Sequence, residues 1–392
     1  MISAASFAEP INKVELDQDQ TGPVASEDSI EVDGVRDMIS TAVAQGNSGT
    51  GALSGDSEIS GAQSLDGSVN ASSLLSANGV WASVISTATA QGNALTAQVE
   101  DGTLNLDLSQ TAGAGQVSAL SRLRITDYAA HTVQTASSAV NAIQASAEGG
   151  QDLFIRQSSA AESRAEARVE ASDAEIETSV VGAVAAGNSL ISTAEDEASS
   201  LTLDQSQTGS TTAVAYAEIY NADYGVTAAS QAAGNTATFQ NDYGNSETGG
   251  VQNNSGAVRS ETVILADQFT NGYATGSANA VGNSVLTSTI GANTYSGVQQ
   301  TNSGDVAASA VMAGGAGGGL GSVLNATAIG NAQSAYVCAS CPVGVTGEIN
   351  QINSGAISAS ALTTHTGQVR TVTSSATAVG NAATFATQTR GN

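Results

Sequence analysis

Lysine occurs once in 392 residues, at Lys13, and the chain holds only 3 prolines, 2 cysteines and 1 tryptophan. Aromatic residues make up 4% and charged residues 12% of the sequence, while the 41% apolar share is carried mostly by Ala and Val. Conventional globular cores rely on Leu, Ile, Phe and Trp, so a string of such domains is disfavoured. Collagen is excluded by the scarcity of proline and the lack of glycine at every third residue. No apolar run approaches the roughly 18–20 residues of a membrane-spanning helix. The longest candidate, Val180–Ala186, has seven. Disorder is disfavoured too, because Val, Ala, Ile and Thr recur in order.

The net charge is −26 and unevenly placed. Residues 1–270 hold 34 of the 36 acidic groups against 8 basic ones, whereas residues 271–392 hold only Asp305, Glu348, Arg370 and Arg390. An acidic surface repels nucleic acid and anionic membranes and favours solubility. The neutral third lacks that protection and is expected to be the region of self-association or anchoring.

What the chain has is repetition. A motif of the form small-Ala-x-Ala-x-Gly-Asn-small places Gly46–Asn47, Gly92–Asn93, Gly187–Asn188, Gly234–Asn235, Gly282–Asn283, Gly330–Asn331 and Gly380–Asn381 at glycine intervals of 46, 95, 47, 48, 48 and 50. The 95 spans two periods, and a decayed copy at Thr135–Ala142 carries Val140 in place of glycine. A second motif, Gln-x-x-Ser-Gly-x-Val/Ile, runs in phase as Gln252–Val258, Gln300–Val306 and Gln351–Ile357, with weaker copies starting at Gln20, Gln63, Gln110, Gln157 and Gln207. Eight tandem repeats of about 47 residues follow, because a linker has no reason to keep two motifs at a fixed offset.

Side chains between the motifs alternate with period two, which means strand. The hardest case is Ala160–Glu177, rich in helix-forming Ala, Glu and Arg. Its Glu162, Arg164, Glu166, Arg168 and Glu170 nevertheless share one face opposite Ala161, Ser163, Ala165, Ala167 and Val169. The phase flips at Asp173, which groups Ala174, Ile176 and Val180. A 47-residue unit this poor in large apolar residues cannot bury a core alone, but stacked copies can. The expected fold is an all-β solenoid with two coils of about 23 residues per repeat, roughly 75–80 Å long at about 4.8 Å per strand. One large coil per repeat would halve that length. Gly-Asn pairs suit corners because both residue types tolerate left-handed backbone, and Asn and Gln at matching positions can form amide ladders. Residues 1–19 read as an N-terminal segment able to act as an assembly strand. Residues 20–382 read as the repeats, acidic to about 270 and neutral after, and residues 383–392 as the start of an incomplete ninth repeat. Gly314–Gly319 reads as an excursion at a strand corner.

No chemistry-bearing constellation emerges. His131 and His365 occupy similar positions in strand-turn segments and read as surface turn residues, and the acidic groups Asp17–Asp19, Glu100–Asp101 and Glu195–Glu197 read as solvated turns. No phosphate-binding loop, catalytic residue, metal site or cofactor site is expected. Cys338 and Cys341 form the one CxxC, which fits a short disulfide bracing a loop, with a pair of free thiols as the alternative.

The recurring Ala-Thr-Ala-x-Gly-Asn of Ala88–Asn93, Ala326–Asn331 and Ala376–Asn381 resembles the repeats of holdfast-attachment proteins, secreted anchor proteins of stalked alphaproteobacteria. More distantly, the Gln and Gly-Asn spacing is similar to curli-type fibre subunits, whose repeats are shorter and richer in amides. The resemblance implies a non-enzymatic structural protein on the cell surface, associated with the outer membrane. It implies self-assembly into a fibre or anchor that tethers adhesive polysaccharide. The expected partners are further copies, head to tail through the last coil and the N-terminal segment, surface polysaccharide, and outer-membrane secretion or anchor proteins, but no nucleic acid. A non-polymerising adhesin-type module that grips a glycan or another surface is the alternative. Residues 1–8 lack a basic n-region and a full apolar h-region, so either a signal peptide has been trimmed or export takes another route.

Overall fold

The structure is a computed structural model describing residues 11–315, 319–339 and 343–389. Strand is the only regular secondary structure among the described residues. Each repeat supplies one short strand and one long one. The short strands are Asn12–Gln20, Ser57–Leu65, Leu104–Ala112, Gln151–Ser159, Ser199–Gln207, Ser246–Asn254, Thr294–Asn302 and a last, split pair at Val345–Gly347 and Asn350–Asn353. The long strands are Val24–Ser54, Val69–Glu100, Gln116–Ala147, Glu162–Glu195 and Thr211–Asp242. In the last three repeats the long strand divides in two, ending with Ile357–His365 and Val372–Thr389.

Every pairing is parallel and joins residues one repeat apart, from Asn12 with Ser57 to Asn302 with Asn353. One repeat is therefore one coil, not two. Eight coils at about 4.8 Å give a stack of roughly 38 Å, half the length expected for two coils per repeat. The two halves of a repeat carry different motifs because they form opposite walls of the same coil.

The second coil shows the path. Ser57–Leu65 runs along the first wall, turns at 66–68 and continues as the first part of Val69–Glu100. Around 78–82 the register shifts between Ala77 and Gly79 and between Val80 and Ser83, and the chain doubles back. It returns along the second wall and turns again at 101–103. Two cores lie side by side between the walls. In one, Ala71 and Leu75 of the first wall share a cluster with Val84 and Ala88 of the second. In the other, Ile59, Leu106 and Leu108 share a cluster with Leu95, Ala97 and Val99. The first is built mostly of Ala and Val and the second is richer in Leu and Ile.

Glu162–Glu195 is a strand despite its helix-forming composition. Ala161, Ser163, Ala165, Ala167 and Val169 are buried, and the phase inverts at Ser172–Asp173, both exposed. A second inversion at Glu177–Thr178 sends Val180 outward and buries Val181 instead. The terminal boundaries also move. Asn12–Gln20 is itself the first rung, paired residue by residue with Ser57–Leu65, and Val372–Thr389 pairs with the preceding rung beyond residue 382. Of the Gly314–Gly319 tract, residues 316–318 lie outside the described residues.

Candidate functional site

The Gly-Asn pairs lie at the boundary between the two cores, where inward and outward positions exchange. Gly92 and Asn93 are consecutive and both buried, as are Gly187 with Asn188 and Gly282 with Asn283. The exchange is made within continuous strand and without left-handed backbone. Among the described residues the glycines with positive φ are Gly55, Gly61, Gly225, Gly250 and Gly291, and none belongs to a Gly-Asn pair. Close approach explains the glycines instead. A Cβ at Gly46 would lie 2.7 Å from the Gly92 carbonyl oxygen, and one at Gly282 would lie 2.5 Å from that of Gly330. Gly187 and Gly234 meet the next coil in the same way at 2.6 Å, and Gly330 at 2.5 Å, against the carbonyl of Gly380.

The asparagines form a continuous ladder. Asn47 Nδ2 donates to Asn93 Oδ1 at 2.8 Å, and the relay passes through Asn141, Asn188, Asn235, Asn283 and Asn331 to Asn381 at 2.7–2.8 Å per step. The second amide hydrogen crosses to the opposite wall, as from Asn93 to the Thr111 carbonyl at 2.8 Å and from Asn235 to the Asn253 carbonyl at 2.8 Å. A glutamine ladder faces it from the first wall, with Gln63 donating to Gln18, Gln110 to Gln63, and so on to Gln351 donating to Gln300, at 2.7–2.8 Å. These glutamines cross back, as from Gln252 to the Ser284 carbonyl at 3.0 Å. Asparagine amides donate toward the C-terminal coil and glutamine amides toward the N-terminal one, so the two lines of dipoles oppose each other. Every buried amide hydrogen in these columns has a partner, which removes the cost of placing polar groups between apolar cores.

The register corrects two glutamines. Gln18 and Gln205, not Gln20 and Gln207, belong to the ladder. Gln20 and Gln207 stand two residues on, in a column with Leu65, Ala112, Ser159, Asn254, Asn302 and Asn353. From the sixth coil on that column becomes another ladder, Asn254 to Asn302 to Asn353, at 2.7 Å per step.

A groove of about 620 Å³ runs across coils where the turns enter the short strands. Asp152, Ser200, Glu247, Tyr295 and Thr346 line it from one outward column, with Asn245 and Asn293 beside them. Ser200 donates to Asp152 at 2.5 Å, and the Asn293 amide N–H donates to Asn245 Oδ1 at 3.1 Å. Hydroxyls, amides, carboxylates and one tyrosine edge on consecutive coils suit a polar chain lying along the stack. Sequence reading missed this column because its residue types differ from coil to coil, and only the register collects them.

Elsewhere the ionisable groups serve the surface. Burial opposes the charge on Glu166, but hydrogen bonds and attraction from Arg164 and Arg168 prevail and hold its carboxyl below the ordinary value. The hydrogen bond to Glu177 pushes the Tyr128 phenol up to about 12. Glu175 is raised first by its hydrogen bond with Asp223 and then by desolvation. The histidines are not equivalent. His131 pairs with Thr178 in the bend, and His365 pairs with Gly314 at the end of a strand. His365 is half-buried, 2.9 Å from Ser322 Oγ, and desolvation lowers its pKa. Cys338 lies near the end of Gly321–Ala339, while Cys341, its expected partner, is outside the described residues.

No curated protein and no solved structure matches this chain. Residues 32–305 match the family described as holdfast attachment protein D. That stretch covers most of the chain and nearly six of its eight coils, and it includes the ladders from Asn47 to Asn283 and from Gln63 to Gln300 and the groove's first four coils. The chain belongs to the holdfast attachment protein D family, and its role is in holdfast attachment, at the cell surface or outside the cell.

Proposed function

We propose that this protein is a structural subunit of an outer-membrane-associated anchor, which assembles head to tail and tethers adhesive polysaccharide to the cell envelope. The observation that carries the reading is the uniform parallel register, from Asn12–Gln20 to the last coil. Among the described residues nothing covers the outer edge of either terminal rung, and an unpaired strand edge is a template for another chain. The ladders make the two ends complementary. Asn381 has an amide hydrogen to offer the Asn47 oxygen of a following copy, and that copy's Gln18 has one for the Gln351 oxygen. Such a contact does not close on itself and so produces a filament.

Negative-stain electron microscopy of the purified protein tests this. Filaments are expected from the wild type and not from A361K, which turns a charge inward on the outermost coil. Monomeric particles from the wild type at high concentration, or unaltered filaments from A361K, would remove the head-to-tail reading. The groove of about 620 Å³ favours a second reading, a glycan-gripping module that works without polymerising. Co-sedimentation with purified holdfast polysaccharide by a strictly monomeric protein, lost in D152A/E247A, would select it.

A further inference from the structure

Between its two borders the second wall carries no ionised side chain: Asp37 and Glu177 mark the border at the bend, and Glu100, Glu195 and Asp242 end their strands at the other. The segments 38–54, 83–99, 132–147, 178–194, 225–241, 273–290, 321–338 and 372–387 contain none of the 36 acidic or 10 basic residues of the chain. In the stack these segments lie side by side through eight coils, so their outward residues make one continuous sheet face. That face presents Thr, Ser, Ala, Gln and Asn, with Ile39, Val43, Ile85, Val180, Val184 and Ile191 prominently exposed. Away from the terminal coils, every large aliphatic side chain that stands exposed is on this face. The opposite wall holds the ion pairs Lys13–Glu58, Arg122–Glu170 and Arg156–Asp107.

We infer that the uncharged face is an interface with a second copy of this chain, packed sheet against sheet. Electrostatics selects the face. Two molecules of net charge −26 repel wherever their charged walls or turns meet, whereas on this face carboxylates are confined to the borders and the sheet between them can approach a second copy. Size permits it. Eight strands about 4.8 Å apart and some 16 residues of about 3.3 Å each span roughly 2,000 Å², against about 800 Å² per partner in a standard stable interface. Shape permits it as well, because sheets pack face to face when their side chains interdigitate. A trough of about 350 Å³ crosses the face beside Val184 and Ile191, which lets the aliphatic ridge of one copy seat in the other under a twofold axis. The contact is lateral and independent of head-to-tail assembly, so a filament using both would be two subunits wide.

Sedimentation-equilibrium analysis of the full chain tests this inference. The wild type is expected at twice 38.6 kDa or a multiple of that. The variant I85E/V184E, altered only at outward positions, is expected to weaken pairing by about 100-fold or more, with unchanged circular dichroism and melting. S72E/S118E, outward on the charged wall, is expected to pair like the wild type. Equal pairing of I85E/V184E and wild type would overturn the inference, and if A361K alone lost assembly, the head-to-tail reading would survive it. A wild type that stays monomeric and co-sediments with phosphatidylcholine vesicles would assign the face to a lipid surface and also overturn it.

Discussion

Asn93 is tied to Asn141, one coil further on, by a 2.8 Å amide bond, and to the opposite wall through the Thr111 carbonyl at the same distance. One side chain thus fixes both the stacking of coils and the spacing of walls. In the middle of the ladder the consequence is measurable. Asn188→Ala strands the donor of Asn141, the acceptor of Asn235 and the carbonyl of Ser206. At about 1–3 kcal/mol for each buried group left unpaired, it should cost about 3 kcal/mol or more. Asn381→Ala, on the exposed last coil, should cost under about 1 kcal/mol. Melting temperatures of the two variants give the comparison, and equal shifts would deny the ladder its role.

The Gly-Asn glycines should not tolerate a methyl group. In Gly282→Ala the added carbon meets the Gly330 carbonyl and the Asn302 side chain, which are backbone and ladder respectively. Overpacking of this kind costs about 1–3 kcal/mol. Gly51→Ala is the control, because a Cβ there meets nothing within 4 Å, and it should melt at or slightly above the wild-type temperature.

Val140 is the exception that the third coil has absorbed. It is fully buried in the Ala-rich cluster. Its coil carries Ala112 in the column where the preceding coil has Leu65, which packs against Gly92. Val140→Gly, although it restores the motif, should therefore open a cavity and destabilise by about 2–4 kcal/mol. Thermal melting of this variant, alone and combined with Ala112→Leu, checks the exchange of volume, since the second change should recover part of the loss.

Much of this architecture can be read in the sequence, and its failures have physical causes. The two motifs, their period and the alternation of Ala161–Val169 identify the stacked strands. The sequence suggests two coils per repeat because half a repeat has a reasonable length for a coil, although the two halves share no motif. The sequence points to left-handed glycine at the corners because composition shows which residues are small and not what approaches them. Gln20 and Gln207 displaced Gln18 and Gln205 because both members of each pair are glutamine, and only pairing separates them. The uncharged wall was present in the sequence throughout, but it becomes one surface only when segments a repeat apart lie side by side.

Two tyrosines should titrate late. Tyr128, bonded to Glu177, and Tyr216, desolvated and bonded to Glu218, are both pushed up to about 12. A phenol whose folded pKa is raised contributes stability below its unfolded value near 10, and that contribution is lost as pH rises toward 12. The phenolate absorbance should therefore show a late step that Y128F and Y216F each reduce. On the acid side the sign is opposite. The carboxyl of Glu166 is held low by Arg164 and Arg168, so its contribution is present above the unfolded value and lost as pH falls. E166Q should flatten the acid limb of the stability profile.

The claim that one repeat makes one coil can be tested by cross-linking. With both native cysteines replaced by serine, T87C/T135C joins residues on adjacent coils whose hydroxyls are 3.1 Å apart, within the reach of a disulfide whose Cα atoms lie about 4.4–6.8 Å apart. T87C/T111C, half a repeat apart, places its thiols on the outer faces of opposite walls. Intramolecular oxidation of the first pair and none of the second is the predicted result. Oxidation of the second pair and not the first would mean two coils per repeat and would contradict the ladders, the walls and the face drawn from them.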